Sequence, residues 1–521
     1  MKKFPFILFF IAFTGYTQSN EFLVFFKNKP LPSGLSTEKR IDFYDLPISF
    51  SALSILKKHG EVINKSKWLN AVHYSTSLSS SELSTFSFVQ SLLPLTPSPQ
   101  DKPHTVSQHN AYSGGDTNTY GSTFDQLEMT KTISCLHDNG FRGEGVTIAV
   151  LDAGFPRADT VQFFRKMRAE GRIIDTWDFE DNSSFVYHKN THGSYVSSLI
   201  GAELDSTYIG AAPKANYAFY ITEIGRFEKN IEEFNLVLGL ERADSIGADI
   251  CNISLGYRNF DTLQVSYGYP GMDGKTTIAA QGVAIAQRKG MIISIAAGNK
   301  GNEGVGSLTS PCDVDSVLCV GAVKFDSTRA GFSSEGPTFD GRTKPDVVTL
   351  GEGCYFMGLN DTVYRGNGTS FSTPLISGMV ACLIQGHPSR TNFEVITAIK
   401  QQSDNSFSPN NIYGWGIPNA CQVDSVLTLL DSTLSSNFQV EKPLEITVYP
   451  NPTDGIVSIN TNEIITSVSV VQLDGNVVMN KEISRSSLTY AINIEALPAG
   501  VYLVRCTNLE GKTLTKKIVK K

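Results

Sequence analysis

Apolar residues in the middle of the chain form short uninterrupted runs that alternate with longer segments of helical spacing. An uninterrupted apolar run suits a strand that is buried on both faces, and helices between such strands favour parallel pairing. The pattern therefore predicts an α/β fold, a mostly parallel sheet with helices on both faces, within residues 118–430. The strand-like runs lie at residues 146–151, 215–220, 250–255, 291–296 and 317–323, and the helical spacing at 227–246 and 281–289.

The last part of the chain shows a different pattern, in which short segments are separated by turn residues. Asp474-Gly475 and Glu510-Gly511 are typical of tight hairpins. Residues 443–521 are therefore predicted to form a small β-sandwich, joined to the preceding domain by a polar linker at 431–442. The predicted strands are residues 446–449, 456–459, 468–473, 476–479, 490–494, 500–506 and 513–519.

A small α+β unit is predicted near the other end of the chain, with a strand at 21–27, a helix at 49–59 and a strand-like piece at 61–72. The stretch 75–120 that follows is rich in Ser, Thr and Pro, and it is predicted to be an exposed connector. We therefore assign residues 19–117 to a separate N-terminal unit with its connector.

The first 18 residues have the composition of a secretory signal peptide. Lys2 and Lys3 precede an apolar run at 4–13, and small and polar residues follow it. The run is too short to span a bilayer, and no later run is long enough for a membrane helix. A buried strand or helix of the mature protein is the alternative interpretation.

The composition indicates a globular protein, and the net charge argues against binding to nucleic acid. A chain of 521 residues is expected to hold two to four domains, and 41% hydrophobic residues is typical of a globular protein. The formal net charge is −7 and no basic stripe is present, so nucleic acid is not an expected partner.

The eight cysteines leave the disulfide pattern open. Cys251, Cys319 and Cys382 lie in apolar segments, where buried free thiols are expected. Cys312 is close enough in sequence to Cys319 that the two could instead bridge a loop. No CxxC motif occurs, which argues against a structural zinc site.

Five polar residues stand where chemistry is expected. Asp152 ends one apolar run, Asn299 follows another, and Ser254 lies near the end of a third. Because the carboxyl ends of parallel strands meet at one edge of a sheet, we expect these three side chains to share a cleft. His192 opens a helical stretch, and a serine such as Ser370 needs an adjacent base to become a nucleophile.

These segments resemble the three catalytic motifs of subtilisin-like serine proteases, the subtilases. The matching pieces are 148–154, 192–196 and 368–370, in the family's order of Asp, His and Ser. The resemblance implies that Ser370 is the nucleophile, that His192 is its base and that Asp152 orients His192. It also implies that Asn299 donates its amide to the oxyanion.

The same resemblance implies a binding cleft for protein or peptide substrates. Ser254, Leu255 and Gly256 match the strand that pairs with the substrate backbone. Ala296, Ala297 and Gly298 would form another wall of the primary specificity pocket.

No cofactor is expected. Calcium is common in subtilases, but no calcium ligands are assigned. His188 and His192 are four residues apart, but His192 opens a helix and no Glu follows as in HExxH, so a metal pair is not predicted.

The C-terminal segment resembles the sorting domain of type IX secretion cargo, through residues 449–455, 497–502 and 517–520. This resemblance implies the type IX secretion machinery as a partner and a secreted or cell-surface location. By position and size alone, the N-terminal unit is similar to a subtilase propeptide. A constitutive accessory domain is the alternative for that unit.

The leading hypothesis is a secreted serine endopeptidase that is made as an inactive precursor. A second possibility is a surface binding or adhesion protein whose protease-like domain is inactive, although the complete Asp, His, Asn and Ser set argues against it. A third is another serine hydrolase such as an esterase, but the G-x-S-x-G motif is absent around Ser370.

Overall fold

A computed structural model describes most of the chain. The described residues are 19–29, 42–95, 110–111, 119–225, 228–261, 264–437, 446–461, 464–472, 475–483, 488–508 and 513–521, with backbone only for 110–111 and 433–437. The predicted signal peptide and the predicted hairpin at Glu510-Gly511 lie outside these residues. The chain divides into two compact units, Met1–Ser432 and Thr433–Lys521.

The first unit mixes helices and strands. Its strands are β1 Asn20–Phe26, β2 Gly60–Ser66, β3 Ala71–Thr76, β4 Val89–Leu95, β5 Asn110–Ala111, β6 Thr147–Asp152, β7 Ile173–Asp178, β8 Glu203–Leu204, β9 Tyr208–Ile209, β10 Asn216–Ile221, β11 Ile250–Ile253, β12 Ile292–Ala296, β13 Leu318–Val323, β14 Val347–Leu350, β15 Glu352–Met357 and β16 Val363–Asn367. Its helices are α1 Phe50–Leu56, α2 Ser80–Ser84, α3 Phe124–Glu128, α4 Arg165–Ala169, α5 His192–Gly201, α6 Asn230–Ser245, α7 Ile278–Arg288, α8 Thr369–Gly386, α9 Asn392–Gln401 and α10 Ala420–Asn437. Thr132–His137 is a π-helical turn, and short 3₁₀ turns lie at Phe43–Asp45, Gln162–Phe164, Tyr269–Gly271 and Gly301–Glu303.

A seven-stranded sheet lies at the centre of the first unit, in the order β14-β13-β12-β11-β6-β10-β7. Every neighbouring pair is parallel. The prediction of a mostly parallel sheet is confirmed, and each of the five predicted strands is present. The two outermost strands, β7 and β14, were not predicted.

Helices cover both faces of this sheet, which explains why its strands are apolar at every position. Ile148 and Val150 of β6 belong to the core that contains α5 and α8. Ala149 and Leu151, which point the other way, belong to the core that contains α6 and α7. All six residues of β6 are buried as a result.

The N-terminal unit is a four-stranded antiparallel sheet in the order β2-β3-β1-β4. The predicted single strand at 61–72 is wrong, because the chain turns at Asn70, whose φ is 50°, and returns as β3. The predicted connector from residue 75 is also wrong in its first part, because α2 and β4 lie there. The sequence does contain signals for α2, since Ser79 and Glu82 form a capping box.

The second part of the structure forms two antiparallel sheets, in the orders β17-β18-β21 and β20-β19-β22-β23. Apolar side chains from both sheets share one core, and the predicted β-sandwich is confirmed. The strands are β17 Ile446–Tyr449, β18 Ile456–Thr461, β19 Ile465–Gln472, β20 Val477–Glu482, β21 Thr489–Asn493, β22 Gly500–Asn508 and β23 Thr513–Lys520.

The segment between the two units differs from the prediction. A polar linker was expected from residue 431, but α10 continues through Asn437. None of the helices in the described part of the chain is both long and apolar enough to cross a membrane.

Two disulfides are present among the described cysteines. Cys312 bonds to Cys319, which settles the alternative that the sequence left open. Cys135 of the π-helical turn bonds to Cys421 of α10, a pairing that the sequence did not suggest. Cys251 and Cys382 are buried free thiols, as expected.

We expect the two disulfides to differ in their effect on stability. Cys135 and Cys421 are 286 residues apart, so changing both to Ala should lower the free energy of unfolding by about 5 kcal/mol. The matched control changes Cys312 and Cys319, which are 7 residues apart, and should cost about 2 kcal/mol. Urea unfolding measures both values, and equal losses would contradict loop length as the cause.

Candidate active site

The first feature of the site is a carboxylate that is hydrogen-bonded to an imidazole. Asp152 ends the central strand β6 and is fully buried. His192 begins α5, and its Nδ1 lies 2.9 Å from Asp152 Oδ1 and 3.0 Å from Oδ2. The backbone N–H of Ala153 also donates to Oδ1. The structure therefore brings together two of the predicted residues, which are 40 positions apart.

Two glycines make this approach possible. A Cβ on Gly193 would lie 2.4 Å from the carbonyl oxygen of Gly154 and 3.0 Å from the Cβ of Asp152. A Cβ on Gly154 would collide with the backbone of His188 and Asn190. Any larger residue at either position would push the start of α5 away from the end of β6.

Ser370 lies in the first turn of α8, on the same side of the sheet as α5. A Cβ on Gly368 would be 2.9 Å from Ser370 Oγ and 3.6 Å from Asn299 Nδ2. The hydroxyl and the amide nitrogen therefore flank the space that the absent side chain of Gly368 leaves open. A reacting carbonyl group needs space of this kind beside a nucleophile and a hydrogen-bond donor.

Hydrogen bonds determine which way the Asn299 amide points. Its Oδ1 accepts from the backbone N–H of Thr369 at 2.9 Å and from the Thr369 hydroxyl at 3.0 Å. Nδ2 is therefore the atom that faces Gly368. Thr369 thus orients the amide that the sequence pointed to as an oxyanion donor.

His192 and the start of α8 are neighbours in space. The ring centroids of His192 and Phe371 lie 6.4 Å apart. Among the described residues, no hydrogen bond joins Ser370 Oγ to His192. Catalytic hydrogen bonds are often long without substrate and tighten when it binds.

A buried chain of hydrogen bonds holds the backbone of Ser370. The Ser377 hydroxyl donates to Asn252 Oδ1, and Asn252 Nδ2 donates to Ser254 Oγ. The Ser254 hydroxyl in turn donates to the carbonyl oxygen of Ser370 at 3.0 Å. Sequence reasoning missed Asn252 and Ser377, although an Asn inside an apolar strand was an available signal.

The two predicted substrate walls converge on Thr309, which the sequence did not point to. A Cβ on Gly256 would lie 2.1 Å from Thr309 Oγ1, and one on Gly298 would lie 2.9 Å from the same atom. Thr309 N–H also donates to the carbonyl oxygen of Ala297. In these walls Ser254, Ala296 and Ala297 are buried, Leu255 and Gly298 are half-buried, and Gly256 is exposed.

The electrostatics of the pair favour a charged imidazole. Burial of the His192 ring would by itself lower its pKa. The charge of Asp152 and the hydrogen bond to it outweigh this, so the His192 pKa is raised above its ordinary 6.5. Burial, together with the charge of Glu228, raises the pKa of nearby Glu223 well above its ordinary value.

Comparisons with known proteins identify the family to which the chain belongs. A family model described as "Subtilase family" matches residues 143–416, which is more than half of the chain. The chain belongs to the subtilase family. As a member of this family, the protein is a serine endopeptidase. A second family model, "Secretion system C-terminal sorting domain", matches residues 447–521. The type IX sorting domain at the end of this subtilase shows that it is secreted or held at the cell surface.

Similar proteins include subtilisins of modest identity. Subtilisin DY from Bacillus licheniformis is 27% identical over 283 residues, which are 54% of this chain and 91% of that protein. Serine protease AprX from Bacillus subtilis (strain 168) is 30% identical over 310 residues, 53% of this chain and 66% of that protein. The solved structure of MycP1 with its N-terminal propeptide removed has a TM-score of 0.45 at 21% identity, over 58% of this chain and 95% of its own.

We expect the hydrogen-bond chain that ends at the carbonyl oxygen of Ser370 to contribute measurably to the free energy of unfolding. Changing Ser377 to Ala leaves Asn252 Oδ1 buried without a donor, which should cost about 1–3 kcal/mol in urea unfolding. Ser197 is a matched control, because it is a buried helical serine whose Oγ has no hydrogen-bond partner among the residues that the structure describes. Ser197→Ala should cost less, and equal losses would contradict the role of the chain.

Proposed function

We propose that this subtilase cuts peptide bonds with Ser370 as nucleophile, His192 as general base and Asp152 as the group that orients His192. The observation that supports this most directly is the Asp152–His192 hydrogen bond, beside the space that Ser370 Oγ and Asn299 Nδ2 flank. Every group that the proposed reaction requires comes from side chains and backbone of this chain, so we propose no cofactor.

The first half of the proposed reaction forms an acyl-enzyme. Ser370 Oγ attacks the carbonyl carbon of the scissile peptide bond and loses its proton to His192 Nε2. The buried Asp152 carboxylate stabilises the resulting imidazolium through Nδ1–H. The carbonyl oxygen becomes an oxyanion, which accepts hydrogen bonds from Asn299 Nδ2 and the backbone N–H of Ser370.

Collapse of this intermediate breaks the C–N bond, and His192 gives its proton to the leaving amine. In the second half a water molecule attacks the ester carbon while His192 takes its proton. The ester bond then breaks and the proton returns to Ser370 Oγ, so the enzyme is restored. His192 must be neutral at the start of each half, which links activity to its pKa.

Peptide substrates are proposed to bind by adding a strand to the cleft. The edge that Ser254, Leu255 and Gly256 provide would pair with the substrate backbone, while Ala296, Ala297 and Gly298 would line the side-chain pocket. The shared contact with Thr309 supports this arrangement, because it fixes the spacing of the two walls.

The N-terminal unit is proposed to be a propeptide, which makes the protein a precursor. Its hairpin turn packs on α6, where Glu241 accepts hydrogen bonds from the backbone N–H groups of Lys67 and Trp68 and from the Ser66 hydroxyl. Lys289 of the main domain pairs with Asp45 of the same unit. The interface also has an apolar part, because Leu23, Trp68, Ala71 and Leu95 of the unit belong to the hydrophobic core that contains α6 and α7.

The proposal predicts that Ser370 is essential, while its neighbour Ser372 is not. Ser370→Ala should lower casein hydrolysis by at least about 10,000-fold, as loss of the nucleophile does in related proteases. Ser372 is the matched control, because its buried hydroxyl donates to the backbone carbonyl oxygen of Thr369. Wild type and Ser372→Ala should also shorten themselves, whereas Ser370→Ala should stay full length. An inert, folded wild type would support a binding protein instead.

The raised pKa of His192 predicts the pH profile. Only the neutral imidazole can accept the proton of Ser370, so kcat/KM should rise with pH through a pKa above about 6.5. The measurement is peptide hydrolysis from acid to neutral pH under conditions in which the enzyme stays folded. A flat profile across this range would rule out His192 as the base.

A further inference from the structure

An ammonium group lies inside a cluster of acidic side chains next to the catalytic pair. Lys189 Nζ is 2.7 Å from Asp178 Oδ2, 2.6 Å from Glu180 Oε2 and 3.0 Å from Asp181 Oδ2. Asp178 is the last residue of β7 and is fully buried. One lysine therefore forms ion pairs with three carboxylates, at the end of β7 and on the loop that leads to α5.

The cluster offers the donors that a divalent cation would use. Asp178, Asp181 and His188 place ligand atoms within 4.8 Å of one another, and His188 Nε2 lies 3.1 Å from Asp178 Oδ2. Carboxylate oxygens are preferred ligands of calcium and manganese. In this chain, the amine of Lys189 lies among these carboxylates.

The loop around Lys189 is attached to the segment that follows Asp152. Lys189 forms a backbone bridge with Gly154, and the N–H of Asn190 donates to the carbonyl oxygen of Ala153. Asn190 Oδ1 then accepts the backbone N–H of His192. A short stretch of backbone, held against Ala153 and Gly154 by these contacts, therefore connects the cluster to His192.

We propose that the Lys189 ammonium is a built-in replacement for a structural metal ion, and that it positions His192 against Asp152. This inference rests on the proposed function for its effect on activity. Lys189 is a positioning residue, since its contacts are with the loop and not with Ser370. Without the ammonium, three carboxylates would repel one another, and the loop would shift the start of α5.

The surroundings of Lys189 favour the charged form of its amine. Burial would lower the pKa of Lys189, but hydrogen bonds to Asp178, Glu180 and Asp181 outweigh it and raise the pKa above its usual value. The ammonium therefore stays charged wherever the protease is proposed to work. The lysine differs from a metal in that it cannot be removed by a chelator.

The test is Lys189→Met, which removes the charge and keeps much of the apolar stem. We expect kcat to fall about 10- to 100-fold through misplacement of His192, with a smaller change in KM. Calcium chloride or manganese chloride, added in separate arms, should restore kcat in the variant more than it raises kcat in wild type. Recovery in neither arm would overturn the proposal.

Lys166→Met is the matched control. Lys166 also bridges two carboxylates, Glu203 and Asp205, but it lies on α4 and away from the loop. The Lys166→Met variant should keep most of the wild-type kcat, and neither metal salt should raise its kcat. Equal behaviour of the two variants would show that any bridging lysine has this effect, and would overturn the positioning role.

A second readout separates this inference from the proposed function. Thermal unfolding of Ser370→Ala is compared with that of Ser370→Ala/Lys189→Met, so no activity is needed. The double variant should unfold at a lower temperature and regain the difference with calcium or manganese chloride. A metal response here, with an inert wild type, would keep the inference on Lys189 and reject the proposed function. An unchanged unfolding temperature, together with an active wild type, would reject the inference on Lys189 and leave the proposed function in place.

Discussion

The structure of the site depends on one buried charge. Asp152 stands at the end of the central strand with no exposed surface, where an unpaired carboxylate would be strongly unfavourable. Its charge is met by His192 and by the backbone N–H of Ala153. Breaking a fully buried pair costs about 3–5 kcal/mol, and less when one partner is partly exposed as His192 is, so the pair favours a position of α5 beside the end of β6. Gly154 and Gly193 make that position possible, because a side chain at either residue would collide with neighbouring backbone.

The parallel sheet turns this local constraint into a complete site. Strands β6, β11 and β12 are in register, so Asp152, Ser254 and Asn299 emerge near one edge of the sheet. Helices α5 and α8 lie on the same face and begin at that edge, with His192 and Ser370 in their first turns. The N-termini of both helices, which are the positive ends of their dipoles, therefore lie at this edge. The Ser254 hydroxyl donates to the carbonyl oxygen of Ser370, and Thr369 donates to the side-chain oxygen of Asn299.

Much of this could be predicted from the sequence, because the central strands are buried on both faces and stand out as apolar runs. The outer strand β7 could not, since its residues are mostly half-exposed and its pattern Ile-Ile-Asp-Thr-Trp-Asp lacks a clear period. Strand β4 contains Pro94, which argued against a strand but is tolerated at a sheet edge. Thr309, Ser377 and the Cys135–Cys421 bond depend on contacts between distant segments. Such contacts leave no local pattern, so only the folded chain reveals them.

Lys189 raises a broader point about how an exported protease keeps the loop that precedes α5 in place. The stabilisation that a bound metal ion gives depends on its free concentration, because it grows as RT ln(1 + [L]/Kd). A protein that leaves the cell meets surroundings whose ion content it does not control. An ammonium that is covalently part of the chain has a fixed local concentration, so its effect does not vary with the medium. The cost is entropic, since a long side chain must be ordered, at about 1.5–2 kcal/mol. Contacts with three carboxylates on a partly buried loop offset that cost more readily than a single exposed pair would.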